Sequence, residues 1–354
     1  MGDVMSQFIT LLERYHQQLE LHYGGLLTQD IRRAITDMLH CKSDPARYTQ
    51  WHCGHCQHEQ QHLTSCGNRS CPQCLHQTTS NWLAKQTDKL LPVHYFMVTF
   101  TLPYQFRVLA RKHPKTLYQL MFKVTSNLLK DFASREDKGS LGFTSVLHTH
   151  NRKRELHPHL HIIIPCGRYD ADKQQWHKGD NHYLFNAFSL AKVWRARMID
   201  AINHATELTL PNEIPKKWIV DCRKVGFGLS SLQYLSRYLY RGVLPDKDII
   251  KLTDENVIFR YKEGKTNIIK TRKLPVLKFL WLILQHVLPK GLHRVRDYGF
   301  LRSSAKQLRL KISLLLGVIV GTVYKQQKVI KHAVCICPLC QHEMHFLGVN
   351  RLRN

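Results

Sequence analysis

Six of the chain's eleven cysteines crowd into residues 41–74, a stretch with little apolar periodicity. A segment so poor in core-forming side chains cannot fold by burial alone and has to be held by metal. Cys53-Gly54-His55-Cys56 and Cys71-Pro72-Gln73-Cys74 are two C-x-x-C turns with 14 residues between them, just under the usual spacer of a paired zinc site. Two cysteines at i and i+3 in a tight turn aim both sulfurs at one ion, and a second turn completes a tetrahedron. Four thiolates leave no position for water. Cys53, Cys56, Cys71 and Cys74 are therefore expected to form one structural zinc site. Cys41 and Cys66 are left over, either as ligands of a second zinc or as small buried hydrophobes. Near the other end, Cys335-Ile336-Cys337-Pro338-Leu339-Cys340 offers Cys337 and Cys340 as half of a further zinc site, with His342 and His345 close by.

The charge names the kind of partner. Lys and Arg total 52 against 26 acidic residues, a formal net charge of +26 over 354 residues. That excess goes beyond solubility and draws the chain to a polyanion, nucleic acid first. A hydrophobic content of 43% excludes wholesale disorder. The longest apolar run, Ile312 to Tyr324, falls short of the roughly 18–20 residues that span a bilayer. It reads as a buried helix or strand pair, so no membrane partner is expected. The first twenty residues carry acids and do not read as a secretory leader, which makes a cytoplasmic location the expectation.

Helical spacing covers 6–22 and 28–40, with Thr28 as N-cap of the second. The run HYFMVTFTL at 94–102 reads as a strand. A helix follows at 115–136, then strands at 145–148 and 160–164 joined by a basic turn at 151–154. Further along come a helix at 186–206, a strand at 218–222, a helix from Ser230 or Ser231 to about Tyr240, strands at 256–262 and 266–271, and a helix at 275–287. The mixed order points to an α+β fold with a largely antiparallel sheet. The expected division is a helical, Cys-rich DNA-binding unit over 1–90, a catalytic unit over 91–300 and a basic tail over 301–354.

Two constellations carry chemistry. In His157-Pro158-His159-Leu160-His161, His159 and His161 share one face of the predicted strand, and imidazoles at that spacing can hold one divalent ion. In Tyr234-Leu235-Ser236-Arg237-Tyr238-Leu239-Tyr240-Arg241, Tyr234 and Tyr238 lie one helical turn apart. Arg237 and Arg241 follow each by three residues, in reach of phosphate. Half-buried packing is the plainer reading of these tyrosines in isolation. A tyrosine beside a metal can also attack a phosphodiester.

Taken together, the chain resembles the two-tyrosine HUH rolling-circle transposases of the insertion sequence 91 type. The zinc-binding portion is similar over Cys41, Cys53, Cys56, Cys66, Asn68, Arg69, Cys71, Pro72 and Cys74. The catalytic strands resemble Val98-Thr99-Phe100-Thr101-Leu102-Pro103 and Val146-Leu147-His148-Thr149. The metal-binding pair falls on His159 and His161, the nucleophiles on Tyr234 and Tyr238, and a late basic signature on Leu288 to Gly299. The resemblance spans roughly residues 30–345. It departs at His150, where an aromatic is expected, and at Asp297, where a further histidine is. It implies an HUH nuclease domain, a central antiparallel sheet flanked by helices behind a small zinc-binding domain. It also implies Mg²⁺ or Mn²⁺ on His159, His161 and a third ligand among His157, His148 and Gln233. The implied reaction nicks and rejoins single-stranded DNA through a 5′-phosphotyrosine and drives rolling-circle transposition of an insertion sequence. Partners would be single- and double-stranded DNA at element ends and target, in the bacterial nucleoid, and an oligomer is compatible. Arg152, Lys153, Arg154, Lys262, Lys265, Lys270, Arg272, Lys273, Lys290, Arg294 and Arg296 are the candidate phosphate contacts. The alternatives are a non-catalytic zinc-dependent DNA-binding regulator and an HUH replication initiator or relaxase.

Overall fold

The computed structural model describes residues 6–74, 76–136, 139–151, 154–240, 248–263, 268–317 and 334–350, without the side chains of 76–81, 135, 136, 237, 238, 240 and 262. In chain order the elements begin with α1 (Gln7–Tyr23), α2 (Gln29–Leu39), β1 (Tyr48–His52), β2 (Glu59–Leu63), α3 (His76–Thr87) and β3 (Tyr95–Thr101). Next come α4 (Arg107–Lys112), α5 (Pro114–Glu136), β4 (Phe143–His150), β5 (Leu156–Pro165), β6 (Gly167–Asp170), β7 (Gln175–Lys178), α6 (Ala187–Asn203) and β8 (Ile219–Lys224). The remainder is α7 (Leu229–Tyr240), β9 (Ile249–Leu252), β10 (Asn256–Lys262), β11 (Ile269–Pro275), α8 (Val276–Leu284), β12 (Val295–Tyr298), α9 (Lys306–Leu315) and β13 (His345–Asn350).

The central sheet runs β12-β4-β5-β3-β8, antiparallel throughout. Successive side chains on a strand point to opposite faces, and here the alternation separates core from site. Phe96, Val98, Phe100, Leu147, Leu160, Ile162 and Ile164 enter the main core with Leu117, Met121 and Phe122 of α5 and Leu190, Trp194 and Met198 of α6. The opposite face buries Tyr95, Val146 and Ile163 against Leu232, Leu235 and Leu239 of α7, with Trp82 and Leu83 of α3 packed alongside. Both faces are therefore covered, and a cleft opens only where polar side chains replace apolar ones.

A second core joins the first helices to a late part of the chain. Phe8, Leu12, Ile31 and Met38 of α1 and α2 pack with Val257 and Phe259 of β10, Leu274 of β11, and Phe279 and Leu280 of α8. The Tyr23 ring stacks on Trp281 at 5.2 Å. The expected boundaries at 90 and 300 are both crossed. Amphipathic helices need apolar cover, and the Cys-rich segment beside them gives little beyond the side chains of Cys41, Cys66, Cys71 and Cys74, whereas the β9–β11 sheet with α8 supplies most of it. The tail likewise returns: β13 pairs antiparallel with β1, Tyr48 opposite Asn350 and His52 opposite His345.

Several local expectations match the observed elements. Thr28 accepts the Ile31 N–H at 3.3 Å as N-cap of α2, and Asn186 does the same for Ser189 at the start of α6. The strand expected at 160–164 is longer, starting at Leu156, so the histidines sit inside the sheet and not at its entrance. Helix α7 begins at Leu229, which puts Ser230 and Ser231 within its first turn. The strand expected at 266–271 lies at 269–275, pairing Asn256 with Pro275. Of the apolar run 312–324, the first part ends α9 and residues beyond 317 lie outside the described residues.

Candidate active site

Three histidines meet where the α7-facing side of the sheet becomes polar. His159 and His161 project from the same face of β5, and the ladder places His148 of β4 directly opposite His159. Their ring centroids lie 4.5 Å (His148–His161), 4.9 Å (His159–His161) and 5.2 Å (His148–His159) apart. One ring nitrogen of each falls within 4.8 Å of the others. His157 lines the same cleft but is not in this convergent set. Of the candidates for a third ligand, His157, His148 and Gln233, it is His148 that converges with the pair. His157 stands two residues along the strand toward its end, while His148 is brought in by strand register.

The surroundings fix how these rings present themselves. Nδ1 of His159 lies 2.7 Å from the His157 carbonyl. A carbonyl only accepts, so Nδ1 carries the proton and Nε2 keeps its lone pair. Nδ1 of His161 shares a hydrogen bond with the Thr99 hydroxyl at 3.0 Å, from the cross-strand position on β3. Burial pushes His159 down to about 4 and His161 to about 3, and pushes His148 well below its ordinary value. All three are therefore neutral donors at neutral pH. Three nitrogens that converge and stay unprotonated, two of them on rings anchored through the backbone or a hydroxyl, fit a divalent transition ion. As a set of three ligands they leave coordination positions open, unlike a closed structural site.

The cleft holds about 330 Å³ and is lined by His157, His159 and His161 with Thr99, Thr101, Asn151, Asp221, Arg223 and Tyr234, while His148 is fully buried. Tyr234 reaches it from α7, its ring edge-on to His161 at 6.1 Å. Asp221 and Arg223 of β8, ion-paired at 3.0 Å, were not singled out from sequence. Their signal was the alternation of polar 221 and 223 with Val220 and Cys222 in a short strand. The side chains of Tyr238 and Arg237 lie outside the described residues, as do Arg241, Arg152, Lys153, Lys265 and the Lys262 side chain.

The remaining candidate phosphate contacts divide. Arg154 lies over the Phe259 ring at 5.0 Å and shares a pocket of about 210 Å³ with Tyr261 and Arg272. Lys270, Lys273 and Lys290 are exposed, Lys270 in an ion pair with Glu263. Arg294 and Arg296, both partly exposed, also take part in packing. Arg294 donates to the Leu239 carbonyl at 3.3 Å, and Arg296 lies over the Phe122 ring at 4.2 Å, on the α5 side of the sheet. His150 supplies a flat ring where an aromatic was expected, stacked on His286 at 3.5 Å. Asp297 is a structural anchor, accepting from Lys89 at 2.5 Å and Thr144 at 2.7 Å.

The cysteines group differently from the sequence expectation. Cys71 and Cys74 converge with Cys41 and Cys66, while Cys53 and Cys56 converge with Cys337 and Cys340; within each group the sulfurs lie within 4.8 Å of one another. The expected set of Cys53, Cys56, Cys71 and Cys74 does not form. The β1–β2 hairpin carries the Cys53 turn to its far end, about five residues or some 17 Å from its base, where Cys41, Cys66, Cys71 and Cys74 gather. The backbone N–H of Asn68 points at the Cys66 sulfur at 3.4 Å and that of Cys66 at Cys41 at 3.5 Å, which suits thiolates.

Comparisons with known proteins bear on this arrangement. Residues 142–308 match a family model described as "Putative transposase", and residues 10–102 match one described as "Transposase zinc-binding domain". The chain belongs to the insertion sequence 91 family of transposases. The protein named "Putative transposase y4qJ" from Sinorhizobium fredii is 27% identical over 324 residues, 85% of this chain and 81% of the relative. The transposase for insertion sequence element IS801 from Pseudomonas savastanoi pv. phaseolicola is 23% identical over 304 residues, 79% of this chain and 72% of the relative. No solved structure matches the chain. Among the described residues, no helix is long and apolar enough to cross a membrane.

Proposed function

We propose that this transposase cuts and rejoins single DNA strands by tyrosine transesterification and so moves its element by a rolling-circle route. The observation that carries the reading is the cleft that His159, His161 and Tyr234 line together, with the buried His148 converging on the pair. A divalent ion such as Mg²⁺ or Mn²⁺, held by the three histidines, would polarise the scissile phosphate and offset its developing charge. The phenolic oxygen of Tyr234 attacks phosphorus, the bond to the 3′ oxygen breaks, and the phenolic proton ends on that 3′ oxygen. The product is a 5′-phosphotyrosine and a free 3′-OH. The phosphodiester's energy is kept in the covalent link, so the reverse attack by a 3′-OH rejoins strands without ATP. Tyr238, one turn on along α7, is the second nucleophile by resemblance, free to take another strand while Tyr234 is occupied. Arg223 beside the cleft suits the phosphate. Arg154, Phe259, Tyr261 and Arg272 suit a single strand, which binds through cations interleaved with stacking rings. The Cys41, Cys66, Cys71, Cys74 cluster takes the structural zinc of the zinc-binding domain.

The test is a labelled single-stranded oligonucleotide carrying the element's end, incubated with protein and Mn²⁺ and run on a denaturing gel. A protein–DNA adduct is expected, abolished in the Tyr234→Phe/Tyr238→Phe double variant. Binding without an adduct in the wild type would move the weight to the regulator reading.

A further inference from the structure

The cluster of Cys53, Cys56, Cys337 and Cys340 reaches outside both matched ranges, since the zinc-binding match ends at residue 102 and the transposase match at 308. We infer that these four cysteines hold one zinc ion between the β1–β2 hairpin and the C-terminal strand β13, making a single zinc ribbon from the two ends of the chain. The inference concerns metal content and does not depend on the tyrosine chemistry.

The two halves of the site are copies of one turn. Cys53-Gly54-His55-Cys56-Gln57-His58 and Cys337-Pro338-Leu339-Cys340-Gln341-His342 share the pattern Cys-x-x-Cys-Gln-His. In each, the glutamine N–H donates to the first cysteine's carbonyl, at 2.9 Å from Gln57 and 3.0 Å from Gln341. The first cysteine's N–H donates to the histidine carbonyl at 2.8 Å in both. Gln57 and Gln341 both take left-handed backbone, φ 60° and 61°, a conformation non-glycine residues adopt rarely and only where the surroundings enforce it. Two turns separated by some 280 residues would not repeat this detail to pack hydrophobes. It is the geometry that aims two sulfurs at one point.

The sulfurs meet across the two turns. Cys53 and Cys340 approach to 3.4 Å and Cys56 and Cys337 to 3.6 Å. A tetrahedron of thiolates about 2.3 Å from zinc has edges of about 3.8 Å, close to these separations. A disulfide would need about 2.05 Å, and all eleven cysteines are free. The ladder between β1 and β13 ends at His52 opposite His345, next to the first turn, so strand pairing delivers the two turns to each other. Residues 334–350 thus become part of the N-terminal zinc-binding unit.

The test is zinc content per chain of full-length protein, measured by mass spectrometry for three variants. Cys53→Ser/Cys56→Ser and Cys337→Ser/Cys340→Ser are each expected to lose one zinc. The quadruple variant is expected to lose the same single ion. Loss of two ions in the quadruple variant, or no loss from the Cys337 pair, would overturn the shared site. If the variants do not fold, the wild type loaded with NMR-active cadmium answers the same question. One tetrathiolate resonance coupled to the β-protons of Cys53, Cys56, Cys337 and Cys340 is expected. Coupling of the Cys53 and Cys56 resonance to Cys71 and Cys74 would overturn it.

Discussion

The hydrogen bond between Thr99 and His161 offers a sharp test of the three-histidine site. Thr99→Val keeps the shape and β-branching of a residue in mid-strand and removes only the hydroxyl. In the wild type the hydroxyl lies 3.0 Å from Nδ1 of His161, opposite it in the ladder. Without it, a buried imidazole nitrogen has no partner whenever the ring is turned to offer Nε2 to an ion, a cost of about 1–3 kcal/mol. The metal-free ring escapes that cost by turning within the cleft, so the penalty falls on metal binding. At about 1.4 kcal/mol per tenfold, it corresponds to a rise in Kd of roughly 5- to 150-fold. Substitutions of outer-shell partners of metal-bound histidines typically cost roughly 10–100-fold, so two independent routes agree. The assay is Mn²⁺ binding by calorimetry at neutral pH, with urea unfolding of the metal-free protein alongside. A weaker Kd with a nearly unchanged urea midpoint is expected. Thr101→Val is the control. It lies opposite His159, whose Nδ1 is already held by the His157 carbonyl, so its Kd should barely move. Equal Kd values for Thr99→Val and wild type would refute the reasoning.

Three further outcomes follow from the same geometry. Asp297→Ala leaves the Lys89 ammonium, whose side chain is 15% exposed, without its carboxylate and should cost about 3–5 kcal/mol in urea unfolding, with Lys89→Met/Asp297→Leu recovering most of it. Burial holds His159 at about 4 and His161 at about 3 against an ordinary 6.5. The unfolded chain therefore takes up protons between pH 6.5 and 4 that the native chain does not. Stability contributed by these neutral histidines should be complete above pH 6.5 and fall by up to about 1.4 kcal/mol per histidine per pH unit below it, and a flat urea midpoint across that window would count against their burial. Three imidazoles favour transition ions over Mg²⁺, so Mn²⁺ should saturate the site at lower concentration than Mg²⁺ in calorimetric competition, and equal affinities would argue for oxygen ligands instead.

How much of this was legible in the sequence depends on the range of the interaction that decides each feature. His159 and His161 share a face because of strand parity alone, and that could be read from five residues. The third histidine could not be chosen from spacing, because His148 joins them only through the register that sets it opposite His159. The same holds for Arg296, whose direction follows from its place on β12 and whose guanidinium covers Phe122. The cysteines mislead for a related reason. Spacing favours partners near in sequence, yet the entropy of closing a loop grows only with the logarithm of its length. Once β13 pairs with β1, the turn at Cys337 is a nearer partner for Cys53 than Cys71 is. The packing of α1 on α8 was hidden in the same way, since an amphipathic stripe declares that it needs cover and not which segment supplies it.

The two kinds of cluster also differ in what they leave open, and this decides where chemistry is to be sought. A tetrathiolate fills every position of a four-coordinate ion, so neither cysteine group can admit a phosphate oxygen without losing a ligand. Three imidazoles on a rigid ladder fill at most half of an octahedral shell, and the cleft beside them is the one that Tyr234 and Arg223 also line. The residues that hold the histidines come from β3, β4 and β5, whose other faces are locked into the main core. Tyr234 comes from α7, held to the sheet by Leu232, Leu235 and Leu239. On the proposed reading, a tyrosine on a helix packed over the strands that carry the three histidines can be positioned to within the fraction of an ångström that in-line attack demands. In this fold, that arrangement follows from one alternation along β5: apolar residues toward α5 and α6, histidines toward α7.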